Sequence, residues 1–188
     1  MPKTYLFMMV SLDGFFEGPN HDLDWHNVDQ EFVAFAVRQL DDTGVILFGR
    51  RTYEMMAEFW PSEAAVASDP ETARRMNDTP KIVFSNTLRE ARWQNTTLVP
   101  GDRLHLQQTV EALRQNEQKD IAVLGSSDLA VSLLQMGLLD ELRIMVNPVV
   151  LGAGKRLFEG IDRPLDLRLY AAQTFTSGNV LLRYRLKP

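Results

Sequence analysis

Residues 121–134 read IAVLGSSDLAVSLL, and the order of these residue types decides the fold class. Ile121 to Leu124 run apolar without alternation, the pattern of a strand buried on both faces, as in the middle of a parallel sheet. Gly125 permits a sharp turn. Ser126, Ser127 and Asp128 are each acceptable N-caps, and Leu129, Leu133 and Leu134 follow at a spacing that lays one helical face on the sheet. A strand that feeds a helix through small residues leaves the first N–H groups of that helix aimed past the strand's carboxyl end, where anions bind. The Ser-Ser pair is equally compatible with a plain helix cap.

A second stretch of the same kind lies upstream. Val45 to Phe48 is a buried strand followed at once by Gly49-Arg50-Arg51-Thr52-Tyr53-Glu54. Tyr53, Met56, Ala57 and Trp60 share one helical face, and Pro61 stops the helix. Two arginines in a first turn oppose the helix dipole, whose positive end repels them. An anion held between the dipole and the guanidinium groups resolves that conflict; a solvated arginine pair on an exposed face is the alternative.

The remaining segments complete an α/β pattern. Tyr5 to Leu12 is an apolar strand ended by Asp13-Gly14. Phe15 to Asn27 has no period and reads as a loop, long enough inside a compact domain to be functional. Asp29 is placed to cap a helix with Phe32, Val33, Phe35, Ala36 and Leu40 on its apolar face, ending near Gly44. Ser62 to Asn77 reads as a peripheral insertion with a short helix signal at Asp69-Pro70-Glu71. Lys81 to Phe84 is a third strand, ending in Ser85-Asn86-Thr87. Leu98-Val99 suits a brief strand, and Leu106, Val110 and Leu113 mark an amphipathic helix. Beyond Leu134, Glu141 to Val146 is a strand. Leu167 to Ala171 and Val180 to Leu186 alternate on either side of Ser177-Gly178-Asn179, as a hairpin does. The expectation is one α/β domain over residues 1–188, with a mostly parallel sheet, helices and a C-terminal antiparallel hairpin.

Composition narrows the function classes. The chain has 188 residues, is 45% hydrophobic and carries a net charge of −5, so general attraction to nucleic acid or to an anionic membrane surface is not expected. It has no cysteine, which excludes disulfides and thiolate catalysis and fits a reducing compartment. The apolar run at the N-terminus is too short for a secretory signal, and a cytoplasmic location is expected. His21, His26 and His105 are scattered without ligand spacing, so no metal site is expected.

Four stretches together resemble the dihydrofolate reductase-like fold, in particular its RibD C-terminal domain branch, the pyrimidine reductase of riboflavin synthesis and its relatives. They are Ser11-Leu12-Asp13-Gly14, Gly49-Arg50-Arg51-Thr52-Tyr53-Glu54, Val123-Leu124-Gly125-Ser126-Ser127 and Pro148-Val149-Val150-Leu151-Gly152-Ala153-Gly154. The resemblance implies a three-layer domain with helices on both faces of the sheet, and a reductase that takes hydride from NADPH. It implies that Gly49, Arg50, Arg51, Thr52, Gly125, Ser126 and Ser127 hold the phosphates of the cofactor, with Ser85 and Asn86 near the adenosine ribose and its 2′-phosphate. It also implies a homodimer formed through the C-terminal strands.

The chain departs from the family pattern at several positions. Ser126-Ser127 stands where members often carry Gly-Gly, and Asp128 where dihydrofolate reductases may carry an arginine. Trp25 matches a tryptophan of their active-site loop, and counting on from it their substrate-binding acid falls at Gln30, between Asp29 and Glu31. The riboflavin enzymes carry a lysine four residues before the first motif's serine, a position that is Phe7 here. The substrate is therefore open: a small heteroaromatic, pterin- or pyrimidine-like, or otherwise conjugated molecule. Asp29, Glu31 and Asp13 are the candidate proton sources, with water as the alternative, and Trp25, Phe7 and Phe15 are the candidate substrate-side residues. A non-catalytic module that binds a dinucleotide or a flavin on the same fold is the competing reading.

Overall fold

The computed structural model describes residues 2–187. Ten strands and six helices follow in the order β1 (Thr4–Ser11), β2 (Phe15–Glu17), α1 (Gln30–Asp41), β3 (Thr43–Gly49), α2 (Arg50–Phe59), α3 (Glu63–Ser68), α4 (Pro70–Asp78), β4 (Lys81–Phe84), β5 (Thr96–Val99), α5 (Arg103–Asn116), β6 (Asp120–Leu124), α6 (Ser127–Gln135), β7 (Glu141–Asn147), β8 (Lys155–Arg156), β9 (Leu167–Thr174) and β10 (Val180–Leu186). Eight strands form one sheet in the order β5-β4-β3-β6-β1-β7-β10-β9. The strands from β5 to β7 pair in parallel, and β10 runs antiparallel to both β7 and β9. β6, the strand of the opening stretch, lies between β3 and β1, and Ile121 to Val123 are fully buried.

Period-two alternation sorts the strand side chains onto two helical layers. Leu6, Val45, Leu47, Ile121 and Val123 point to the face covered by Leu106 and Val110 of α5 and by Leu129, Leu133 and Leu134 of α6. Tyr5, Ile46, Phe48, Ala122 and Leu124 point to the other, against Leu40 of α1, Tyr53 of α2 and Met76 of α4. A smaller apolar cluster joins Met9, Met145 and Leu181 to Phe35 of α1. Among the described residues no helix is long and apolar enough to cross a membrane.

Three local expectations are corrected. Phe15–Glu17 is not loop but a strand that pairs antiparallel with Lys155–Arg156; a ribbon this short has no period of its own, and its partner lies 138 or more positions away. Gly154 permits the pairing, because a Cβ there would collide with the Glu17 carbonyl oxygen. Helix α1 stops at Asp41, and Gly44 lies inside β3, next to a register shift between Thr43 and Val45. Residues 62–77 are no mere periphery: they form α3 and α4, capped by Ser62 and Asp69, and bury Ala65, Ala73 and Met76.

Lys81 marks where α4 joins the sheet. It is 1% exposed. Its ammonium donates to the carbonyls of Met76, Asn77 and Thr79 at 2.8, 3.0 and 2.6 Å, and sits 4.4 Å from the centre of the Trp93 ring. At the end of α4 the Met76 carbonyl is thereby satisfied, while that of Asn77 also accepts from the side-chain amides of Gln94 and Asn95.

Candidate functional site

The carboxyl ends of the parallel strands open along one edge of the sheet. There β3 hands the chain to α2 on one face, while its neighbour β6 hands it to α6 on the other. A crevice between such turns is where open α/β sheets bind ligands.

Hydrogen bonds tie the two turns together. The Gly49 amide donates to Ser126 Oγ at 3.0 Å, and Thr52 Oγ1 donates to the Gly125 carbonyl at 3.1 Å. Gly125 has φ +63, a left-handed conformation that glycine adopts without a Cβ penalty, and a Cβ there would press to 3.2 Å from Thr52 Cγ2. The helix starts differ in a telling way. α1, α3, α4 and α5 begin under the side chains of Asp29, Ser62, Asp69 and Asp102, whereas α2 and α6 have no side-chain cap. The two helix starts left without a cap are the two that meet at this crevice.

The charges around it are arranged in pairs. Arg50 contacts Glu54 at 3.2 Å on the exposed flank of α2. Arg51 has no carboxylate within ion-pair distance among the described residues, and its Nη2 lies against His21. Asp128, in the first turn of α6, pairs at 2.8 Å with Lys155 of β8. Ser126 and Ser127 are buried, and Ser85 and Asn86 sit at the end of β4. The Ser85 hydroxyl accepts from the amides of Thr87 and Leu88, and Asn86 Oδ1 accepts from the Gly101 amide at 2.9 Å.

The first and fourth motif stretches also form a pair, and Asp13 joins them. Its carboxylate accepts from Ser11 Oγ at 2.7 Å and from the amides of Leu151 and Gly152 at 3.1 and 2.8 Å. The hydrogen bond from Ser11, aided by the two amides, holds the Asp13 carboxyl down at about 2. Through these bonds the Asp13 carboxylate clasps the two loops together. The four motif stretches thus reduce to two hydrogen-bonded pairs, one at the ends of β3 and β6 and one at the ends of β1 and β7.

The other sequence-predicted residues are placed as follows. Asp29 Oδ1 caps α1 by accepting from the Phe32 amide at 2.7 Å. Glu31 Oε2 accepts from the Thr176 amide at 2.8 Å, fastening α1 to the turn before β10. Trp25 is half-buried, donates from Nε1 to the Asp22 carbonyl at 3.2 Å and stands edge-on to His26. Phe7 packs with Phe32 and Phe35, so it belongs to the interface of β1 with α1. Phe15 is buried with the Arg156 guanidinium 5.0 Å from its ring centre, which places it beneath the surface and not on a substrate wall.

Sequence reasoning passed over four residues of this edge: His21, Asn27, Asn147 and Lys155. Asn147 is fully buried, accepts from the Asn27 amide and donates to the Val10 and Met145 carbonyls. Asn27 in turn donates to the Ser177 carbonyl and accepts from Asn179, so the loop before α1 is sewn to the hairpin turn. The one signal for this in the sequence was a polar residue, Asn147, following the apolar run Ile144 to Val146 and preceding Pro148. Two grooves lie apart from the α2 and α6 starts. One of about 520 Å³ runs from Gly14 past Gly154 to Glu159, and one of about 510 Å³ separates α1 from α4. Unclaimed helix starts and charge, more than concavity, mark the site.

A mostly parallel sheet clothed on both faces by helices and closed by a C-terminal antiparallel hairpin is the dihydrofolate reductase-like architecture. Within it the chain belongs to the RibD C-terminal domain family, whose model matches residues 2–181. It is 33% identical over 184 residues to the uncharacterized protein YyaP of Bacillus subtilis (strain 168), covering 97% of this chain and 94% of that protein. Among solved structures it resembles a protein of Shewanella sp. PV-4 attributed to riboflavin biosynthesis, with TM-score 0.75, 23% identity and 99% of both chains covered. It also resembles a Thermotoga maritima diaminohydroxyphosphoribosylaminopyrimidine deaminase/5-amino-6-(5-phosphoribosylamino)uracil reductase, with TM-score 0.70 and 14% identity. That match covers 99% of this chain but 57% of the Thermotoga protein.

Proposed function

We propose that the protein is an NADPH-dependent reductase of a small heteroaromatic, pterin- or pyrimidine-like, or otherwise conjugated substrate. The observation that carries this is the pair of side-chain-uncapped helix starts, α2 and α6, held together through Ser126 and Thr52, with Arg51 beside them and unmatched by an acid. Helix N-termini and a guanidinium fork are what a dinucleotide's phosphates require. In a family of reductases, that fit supports a dinucleotide cofactor. NADPH bound there supplies the hydride, and the chain's task is to orient it and exclude water. Arg51, and Arg50 once drawn from Glu54, grip phosphate; Ser85 and Asn86 border the adenosine side. Asp13, Asp29 and Glu31 all carry structural hydrogen bonds, so we assign the proton that completes the reduction to water.

The same three engagements favour the second reading, a dinucleotide- or flavin-binding module without turnover. One experiment separates the two: NADPH binding followed by nicotinamide fluorescence, then NADPH consumption with a panel of pterins and pyrimidines. Binding with consumption supports the reductase; binding without it across the panel supports the module. No binding of NADPH or NADH at millimolar concentration overturns the reductase and the dinucleotide-binding module alike, and leaves a flavin as the module's one ligand.

We further propose a cytoplasmic homodimer. Leu182, Tyr184 and Leu186 of β10, with their partners Ala172, Leu169 and Leu167 of β9, form an apolar strip at the sheet's edge, none of it fully buried. A second copy of this chain is the occupant that the family implies.

A further inference from the structure

The chain leaving β2 doubles back at once: the Gly18 amide donates to the Asp22 carbonyl, and the His21 amide donates to the Gly18 carbonyl, both at 3.0 Å. At the tip of this turn His21 has φ +63, a left-handed conformation that few side chains adopt. The turn delivers the His21 imidazole to the first turn of α2. There Arg51 Nη2 lies 3.1 Å from Nδ1 and 3.0 Å from Nε2. A nitrogen equally near both ring nitrogens at that range sits over the ring face, since in the plane Cε1 would stand between. The contact is therefore stacking, with no proton shared between the two groups.

The groups facing His21 define its electrostatics. Arg51 comes from α2. Glu17 Oε1, from β2, lies 2.9 Å from Nδ1. Asp22 crosses the same turn beside Gly18, and Lys155, opposite Glu17 on β8, is occupied by Asp128. A guanidinium, the positive end of a ten-residue helix and an imidazole thus converge, and among the described residues Glu17 is the one carboxylate in contact with the imidazole. Imidazole is cationic only when protonated, so the cluster is most attractive to an anion with the His21 ring in that form. Such an arrangement gains most from a phosphate dianion lying alongside the stacked pair, within reach of both Arg51 and His21.

We propose that His21 is a further ligand of the dinucleotide's phosphates, acting with Arg51 in its protonated form. The proposal rests on the dinucleotide reading above. Phosphate binding favours protonated His21, so affinity falls as pH rises and the imidazole loses its charge.

The test is NADPH affinity of the full chain by nicotinamide fluorescence at about pH 6 and about pH 8, with NADH in parallel, for the wild type, His21→Asn and His21→Lys. Asparagine tolerates the left-handed backbone, and lysine keeps a charge at both pH values. The expected result is wild-type affinity about tenfold weaker at the higher pH. His21→Asn should be weak at both, and His21→Lys tight at both. A loss confined to NADPH places His21 on the 2′-phosphate, and an equal loss with NADH places it on the pyrophosphate; both support the proposal. A His21→Asn profile that follows the wild type overturns the role of His21 while leaving the cofactor reading intact. Wild-type protein that binds neither dinucleotide overturns both.

Discussion

The Gly49 amide and the Ser126 hydroxyl meet at 3.0 Å across 77 positions of chain, and this bond sets the spacing of the α2 and α6 starts. Ser126→Ala leaves the amide in a partly buried place without a partner, at a cost of about 1–3 kcal/mol. The expected outcome is a melting temperature lower by roughly 2–10 °C for a domain of this size, together with weaker NADPH binding. An unchanged melting temperature would show that water replaces the hydroxyl there.

Lys81→Met tests the α4 junction. Methionine keeps the apolar stem against Trp93 but removes the side-chain donor of the Met76 and Thr79 carbonyls and one of the three donors to Asn77. A destabilisation of about 2–4 kcal/mol is expected in denaturant titration, without a change in dinucleotide affinity, because α4 lies away from the α2 start.

His26 makes stability depend on pH. Burial holds its imidazole at about 4, below the ordinary 6.5, and its Nε2 has no partner. The unfolded chain binds the proton more readily, so the stability from burying neutral His26 is full above pH 6.5 and is lost as pH falls toward 4. The loss is on the order of 2–3 kcal/mol. His26→Phe should flatten this stretch of the stability curve measured by denaturant unfolding; a curve parallel to the wild type would refute the assignment.

Lys155 and Asp128 offer a charge-balance test of the α6 start. Asp128 brings an acid toward the phosphate side, and Lys155 offsets it at 2.8 Å. On the cofactor reading, Lys155→Met weakens NADPH binding by about 2–5-fold and Asp128→Asn strengthens it by a similar factor, as expected for charges near a helix start. If the two charges act on the ligand independently, the opposite effects sum and the double variant returns close to wild type; a double variant that departs from that sum would show that the pair acts as a unit.

Leu169→Lys probes the proposed dimer. Leu169 is 48% exposed on the edge strand β9. A lysine in a self-associating apolar strip should shift the chain to monomer in sedimentation velocity at micromolar concentration, while on a free edge it changes nothing.

The sequence by itself determined the architecture and its main seams. Ile121 to Leu124 could be read as a central strand because burial on both faces leaves no polar position, and Gly49-Arg50-Arg51-Thr52 as a helix start because its charge opposes the dipole. Asp29 was legible as a cap, since capping is a local bond three residues long. These features depend on neighbours a few positions away, and a linear reading contains them.

What only the tertiary structure decided depends on partners far apart in the chain. That Ser126 is spent on Gly49 and not on its own helix, that Asp13 clasps Gly152, and that Phe15 to Glu17 pairs with Lys155-Arg156 follow from contacts spanning 77 to 141 positions. His21 meeting Arg51, and Asn27 sewn to Asn147 and Ser177, are of the same kind. Residue type states which hydrogen bonds and ion pairs a side chain is able to make, but the folded sheet chooses among them by bringing one partner within 3 Å and burying the rest.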